Sequence, residues 1–476
     1  MPDKLTSPAG EEFVLADASV NRVLVKGVVA VMHARTERLW STKEGDMFLC
    51  ADAEGNLDAE QATGAGFYWR DTRYLSDFRL EVNGHAPLLL STSADRAFAS
   101  HVDLANQDLL EEDGTVAHVQ GTINIRRTRV IDGRLYERIR IKNYNAAAVP
   151  LTVRLTFGTD FADIFEVRGL KRAARGRLAR PKADHRSAVF AYAGEDGVFR
   201  ETRIAFELEP TEVTVDDEQV VASWQLRLEP TQTEMIAITV EARAGGASPP
   251  EQSFDVVMHD LRRSYESWER ASTRVWTDNE LYNSLLSRGL RDLRALLTPT
   301  PHGELVAAGI PWFVAPFGRD SLLTCHQTLM INPDLTRTTL EVLAAFQADE
   351  VDDWRDAQPG KILHELRQGE LAGAGIIPHT PYYGSIDSTP LWLLLLGTYY
   401  RWTGDLEFCR GLLPNLERAL AWIADYGDTD GDGFLEYQRS SPRGLVNPGW
   451  TDSHDSVVHI DGKLAEGPIA LAEVQA

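Results

Sequence analysis

Leu151-Thr152-Val153-Arg154-Leu155-Thr156-Phe157 alternates apolar and polar side chains without a break. In an extended chain successive side chains point to opposite sides, so Leu151, Val153, Leu155 and Phe157 share one face of a strand. That face has to be covered. The same alternation continues on both sides, through Ile123, Ile125 and Ile131 upstream and Ile204, Phe206, Leu208, Trp224, Leu226 and Leu228 downstream. Asp132-Gly133, Asn143 to Asn145, Pro210 and Pro230 supply the turns between these runs. Many short strands, each with one apolar face, predict a large antiparallel β-sandwich over residues 1–247.

Beyond Gly245-Gly246-Ala247-Ser248-Pro249-Pro250 the period changes. Residues 248–277 read as a linker with a lead-in helix, and residues 278–476 as helical. Leu281, Leu285, Leu286, Leu290, Leu293 and Leu297 follow a helical stripe, and similar stripes recur at Asp320 to Ile331, Asp334 to Ala348, Ser388 to Trp402 and Leu406 to Tyr426. A last helix is expected from Pro468. The connecting loops are long and rich in Gly, Pro, His and aromatic residues, which suits an α/α toroid of paired helices better than a bundle with short loops. Six stripes fall within the 198 residues from Asn279 to Ala476. At that spacing the twelve helices of the (α/α)6 toroid implied by the resemblance given below would end near residue 670 or so. About half a ring is therefore expected, closing on an apolar segment, Pro468 to Ala476, without a C-cap signal. Such a fragment is expected to leave helix faces uncovered, and so to aggregate or bind a hydrophobic dye.

The chain has 476 residues, with 48 Lys plus Arg against 71 Asp plus Glu, a net charge of −23. Nucleic acid and anionic membrane are thus poor partners. The basic run from Lys171 to Arg180 reads as a solvated loop. The apolar run Leu391 to Leu396 falls far short of the roughly 18 to 20 residues of a membrane span, and the first residues lack a signal-peptide layout. Cys50, Cys325 and Cys409 are far apart and show no metal-ligand spacing, so all three are expected as buried thiols in a reducing cytoplasm.

Four loop segments carry candidate chemistry. Trp312 and Phe313 suit a stacking platform for a sugar face, while Arg319 and Asp320 suit its hydroxyls; the plainer reading makes Asp320 a helix cap with Arg319 as its partner. The second segment is His364-Glu365-Leu366-Arg367-Gln368-Gly369-Glu370. Its His-Glu start resembles a zinc-protease motif, but Gln368 stands where the second ligand belongs, which excludes that chemistry. His364, Glu365, Arg367 and Glu370 then form either a polar pocket edge or a solvated helix. In the third, Ser388 and Pro390 suit a helix start, leaving Tyr382, Tyr383 and Asp387 for a carbohydrate-lined cleft. The fourth is Gly449-Trp450-Thr451-Asp452-Ser453-His454-Asp455. Asp452 and Asp455 are either a capping pair or a catalytic acid with its neighbour, and Trp450 offers the apolar wall that raises an acid's pKa.

Asp428, Asp430 and Asp432 match the opening of a calcium loop, but Arg439 stands where its bidentate Glu belongs. The alternatives are an acidic turn and a structural calcium ion. No other cofactor is expected.

Together these segments resemble the bacterial amylo-α-1,6-glucosidase family, the glycogen debranching enzyme-like proteins. The resemblance rests on Gly66-Phe67-Tyr68-Trp69-Arg70-Asp71-Thr72-Arg73-Tyr74-Leu75-Ser76 and on Phe157 to Gly169 in the first half. In the second half it rests on Pro316 to Ser321, Gly360 to Glu370, Tyr382 to Trp392, Gly449 to Ser456 and Gly467 to Gln475. It implies a β-sandwich followed by an (α/α)6 glycosidase toroid, and inverting hydrolysis of an α-glucosidic bond by two carboxylates. It also implies Asp452 as general acid, with Asp455 as the alternative that trehalase-like relatives favour. His454 departs from the family, where a Gly is commoner. The family's general base matches no position here and is expected beyond residue 476. The substrates implied are α-1,6 branches or α-glucan oligosaccharides; a trehalase-like or glucosylglycerate-type hydrolase or phosphorylase, and a non-catalytic carbohydrate binder, are the alternatives.

Overall fold

The structure, a computed structural model, describes residues 4–16, 39–111, 114–245 and 250–475. Four residues of the expected linker, 246–249, lie outside the described residues, as do residues 20–38 of the stretch covered by the resemblance. The chain divides into two compact units, one comprising Met1–Tyr265 with Ile310–Trp312, the other Glu266–Gly309 with Phe313–Ala476.

The first unit is built on two large antiparallel sheets. A nine-stranded sheet runs in the order Arg177–Leu178, Ser187–Ala193, Phe199–Phe206, Thr233–Ala244, Leu135–Asn143, Ile123–Ile131, Ala99–Ala105, Leu88–Arg96, with Lys182–Ala183 paired at its side. A five-stranded sheet runs Glu212–Val215, Gln219–Leu228, Val149–Gly158, Asp77–Val82, Leu57–Asp58. The alternation in the sequence fixes which faces meet: Leu151, Val153, Leu155, Phe157 and Trp224 of one sheet share a core with Ile123, Ile125, Ile139, Ile141 and Ile204 of the other. Each such side chain contributes about 1.5–3 kcal/mol on leaving water. At Asp132-Gly133 the chain reverses with Gly133 at φ +61°, pairing Ile131 with Leu135.

Two of the family-like segments meet inside this sandwich. Arg73 Nε donates to Asp160 Oδ1 at 3.1 Å with both side chains buried, Arg73 N donates to Ala162 O, and Ile164 N donates to Asp71 O. The first-half segments thus form a buried ion pair that holds strand and loop together. The basic run also differs from expectation: Arg172 and Arg175 are largely buried against Glu166, at 3.0 and 3.3 Å, because that carboxylate would otherwise be buried alone.

In the second unit the longer helices are Glu280–Ala295, Gly318–Thr328, Pro333–Ala345, Ser388–Thr403, Leu406–Gly411 and Leu413–Tyr426. Asn279 and Asn332 cap two of them by accepting from backbone N–H groups. Three details correct the sequence reading. The stripe expected as one helix from Leu406 to Tyr426 breaks at Leu412, since Pro414 lacks a donor and its ring clashes with the carbonyl four residues back. The segment after Pro468 is a short strand, Ile469–Ala470, paired with Glu436–Tyr437, followed by the short helix Ala472–Gln475. A hairpin, Leu297–Thr300 with Gly303–Val306, follows the first of these helices. The expected stripe at Glu280–Ala295 makes a helix on which Leu281 and Leu285 are exposed. The core comes instead from Leu322, Cys325, Leu340, Leu343, Leu363, Trp392, Leu395 and Tyr399.

Cys50 and Cys325 are buried, while Cys409 is only half-buried. No helix among the described residues is long and apolar enough to cross a membrane.

Candidate functional site

Three loops of the second unit are zipped together by short backbone bridges, and most of the predicted site residues stand on them. Gly318 N donates to His364 O at 2.8 Å, Leu366 N to Pro316 O, His364 N and Glu365 N to Tyr382 O, Tyr382 N to Glu365 O, and Arg367 N to His379 O. Gly318 is required at this crossing, because a Cβ there would lie 2.0 Å from Leu363 O. The His364 to Glu370 segment is therefore buried extended chain leading into the short helix Glu370–Gly373, which excludes the solvated-helix alternative.

Arg319 is the hub. Its Nη1 donates to Asp387 Oδ2 at 3.0 Å and to Gly449 O at 2.6 Å, and its Nη2 to Asp452 Oδ2 at 3.2 Å. Planar fork geometry lets one guanidinium hold acceptors from two loops at once. The expected Arg319 to Asp320 partnership is thus replaced. The cap expectation fails too: Phe317 is the N-cap residue and makes no side-chain cap bond, while Asp320 sits in the first turn. Burial pushes the Asp320 carboxyl above its ordinary range, with Arg319 opposing. At the Ser388–Thr403 helix, Asp387 holds the cap position without capping, and the Ser385 hydroxyl accepts from Ser388 N.

Around this hub lies a buried polar layer. Glu365 Oε1 is 3.0 Å from His379 Nε2, and Arg367 Nε donates to Glu365 Oε2 at 3.3 Å. Burial alone would raise the Glu365 carboxyl, but Arg367 and His379 overcome it and hold it well below the usual carboxylate range. Glu365 is fixed as an anion and cannot act as an acid. Burial pushes the His364 imidazole down to about 4, so that side chain is neutral at pH 7. Phe313, Phe317, His364, Tyr382 and His379 form a chain of edge-to-face rings with centroids 4.8–5.8 Å apart. Two buried atoms in this layer, Asp387 Oδ1 and His364 Nδ1, find no hydrogen-bond partner among the described residues. Such atoms are costly to leave unpaired. Glu370 is buried as well.

The remaining candidates separate into groups. Tyr382 Oη donates to Asp356 Oδ2 and accepts from Leu445 N, both at 2.8 Å, so this phenol is a structural tie. Tyr383 Oη donates to Phe346 O and is likewise a packing residue. Trp450 is 62% exposed, so it gives Asp452 no apolar wall; its backbone N donates to Glu473. The Trp450 ring edges a groove of about 260 Å³ shared with Arg319, Asp387 and Leu394. Asp455 is exposed beside His454, and no contact brings it to Arg319. Trp312 belongs to the first unit, unlike Phe313.

Asp356 was not a candidate from sequence. Its carboxylate accepts from Tyr382 Oη, Ser440 N and Ser441 N, tying the third loop to the segment before Asp452. Nothing local in the acidic stretch Asp349 to Asp356 marks it. Asp428, Asp430 and Asp432 bring ligand oxygens within 4.8 Å of one another, all exposed, and form the group of three such ligands found among the described residues. Asp428 already accepts from Gly431 N, Asp432 N and Gly433 N, which is the acidic-turn reading.

Comparison with known proteins adds three findings. A solved structure from the human microbiome, assigned as a kojibiose phosphorylase, superposes with a TM-score of 0.58 at 9% identity, over 83% of this chain and 58% of that one. The chain thus spans less than two thirds of that protein. A structure from Escherichia coli K12 assigned as an aldose 1-epimerase matches with a TM-score of 0.26 at 8% identity, over 43% of this chain and 99% of that one. No curated protein sequence matches the chain. The family described as the N-terminal domain of (some) glycogen debranching enzymes matches residues 42–239. That match takes in the greater part of the sandwich.

Proposed function

We propose that the chain belongs to an α-glucoside-processing enzyme, an inverting hydrolase of α-1,6 branches or α-glucan oligosaccharides working in a reducing cytoplasm. The helical unit is read as part of an (α/α)6 ring. The observation that carries the reading is the Arg319 fork, which holds Asp387, Gly449 and Asp452 together while the buried Asp387 Oδ1 has no partner among the described residues. Charged, pre-oriented acceptors beside an exposed indole suit a sugar, whose hydroxyls donate and accept while its face stacks. Asp387, which lines the groove with Arg319 and Trp450, would take one such hydroxyl at Oδ1.

In this reading Asp452 is the general acid. Arg319 engages only its Oδ2; Oδ1 makes no hydrogen bond among the described residues and is left for the glycosidic oxygen. Arg319 orients the carboxyl through Oδ2, and a bound glucan would cover this half-exposed side chain. The proton passes to the leaving oxygen, the anomeric C–O bond breaks, and water adds from the opposite face with the help of a base roughly 6.5–9.5 Å away. Asp455 remains the alternative acid.

A second reading, phosphorolysis of a small glucoside, is favoured by the fold shared with the kojibiose phosphorylase-like structure. There phosphate replaces water. Incubating the complete enzyme and its Asp452→Asn variant with isomaltose and with kojibiose, with and without phosphate, separates the outcomes by NMR of the released anomer. Hydrolysis gives inverted glucose without phosphate and is abolished by the substitution. Strict phosphate dependence supports phosphorolysis, unchanged turnover by the variant removes Asp452, and binding without turnover leaves a carbohydrate-binding protein.

A further inference from the structure

The five-stranded sheet of the first unit ends in a row of four cross-strand neighbours: Gln219 opposite Gly158, Gly158 opposite Asp77, and Asp77 opposite Asp58. A pocket of about 80 Å³ opens over this row. Gly158 keeps it open, since a Cβ there would press to 3.1 Å of Asp77 Cβ. Ser76 and Thr159, respectively 1% and 7% exposed, also line the pocket, and neither hydroxyl has a hydrogen-bond partner among the described residues.

The donor and acceptor count identifies a ligand class. Asp77 Oδ1 accepts from Arg79 Nε at 2.8 Å, and Oδ2 accepts from Arg79 Nη2 at 2.8 Å and Gln219 Nε2 at 2.7 Å. A carboxylate has about four lone-pair sites, so one stays open on Oδ1. The Ser76 and Thr159 hydroxyls each offer one donor and two acceptor positions. An anion is disfavoured by Asp58, Glu60 and Glu218 at the rim. A metal ion is disfavoured because Arg79 already occupies Asp77, and because no group of three acidic, His or Cys ligands gathers there among the described residues. What satisfies a mixed set of donors and acceptors is a neutral group that is both, a hydroxyl. At about 30 Å³ per water the space takes two or three waters, the size of two adjacent sugar hydroxyls with the ring left outside. Burial pushes the Asp77 carboxyl up to about 6, with Arg79 opposing.

We propose that this pocket at the end of the five-stranded sheet binds the vicinal hydroxyl edge of a neutral sugar or polyol, through Ser76, Asp77, Thr159 and Gln219. It is a second carbohydrate contact, carried by the sandwich and independent of the Arg319 cluster.

Hydrogen exchange read by mass spectrometry tests it on the full chain, with maltose, glycerol and calcium chloride as separate probes. The expected result is slowed exchange of backbone amides around residues 76–80, 158–162 and 218–221 with maltose or glycerol and none with calcium. Gln219→Ala and Thr159→Val should each weaken the maltose effect about ten-fold in concentration, whereas Asp452→Asn should leave it unchanged. Protection confined to the helical unit, protection by calcium alone, or protection that persists fully in both pocket variants would overturn the assignment. Matching exchange of the ligand-free variants and the unmodified chain elsewhere in the sandwich separates loss of binding from loss of fold.

Discussion

Arg319 Nη1 lies 3.0 Å from Asp387 Oδ2, and both side chains are almost wholly removed from water. The same guanidinium reaches Asp452 at 3.2 Å, but that carboxylate is 48% exposed. One cation thus makes a buried pair and a half-solvated one, which differ in what their loss costs.

Arg319→Ala leaves Asp387 charged and buried, at a cost of about 3–5 kcal/mol, whereas Asp452→Asn removes a solvated partner at about 0–1 kcal/mol. Urea unfolding of the two variants checks this. Asp452→Asn should therefore be folded and inactive, and equal destabilisation by both would contradict the asymmetry.

His364 gives a pH signature. Its imidazole is pushed from 6.5 to about 4 by burial, so between those values the folded chain binds fewer protons than the unfolded one. Stability attributable to His364 rises with pH across that window and is lost as pH falls through it, by about 3 kcal/mol in all. His364→Leu should flatten the profile: the stability difference between variant and parent, measured by denaturant at pH 7 and pH 4.5, should shift in favour of the variant at the lower pH.

Two glycines predict opposite signs. Gly318→Ala forces a Cβ to 2.0 Å from Leu363 O at the loop crossing, and is expected to destabilise by about 3 kcal/mol or more. Gly289 stands inside the helix Glu280–Ala295 with nothing within 4 Å of a built Cβ, so Gly289→Ala should stabilise by about 0.5–1 kcal/mol. Thermal unfolding of the pair reads both signs at once.

The thiols should react in order. Burial pushes Cys50 and Cys325 up to about 12, while Cys409 is half-buried with a smaller upward push from burial and Asp405. A thiol reagent at pH 8 should modify Cys409 first in the native protein, with all three reacting after denaturation. Peptide mapping of the first adduct decides it.

The sequence by itself determined the two classes of structure and their order. Alternation at Leu151 to Phe157 and at Ile123 to Ile131 depends only on the period of an extended chain, and helical stripes at Asp334 to Ala348 and Ser388 to Trp402 depend only on 3.6 residues per turn. Local geometry of that kind is written in neighbouring residues. The sequence also marked the loops that carry Arg319, Glu365, Asp387 and Asp452. Only the tertiary structure decided their partners. Arg319 turns from adjacent Asp320 to Asp387 and Asp452, 68 and 133 positions away, and Asp356 ties Tyr382 to Ser440 across another 84. It also decided that Glu365 is held ionised, that Trp450 shields nothing, and that the helix face at Leu281 stays exposed. Pairing, burial and charge state depend on which distant groups share a small volume of low dielectric. Residue spacing along the chain carries no record of that.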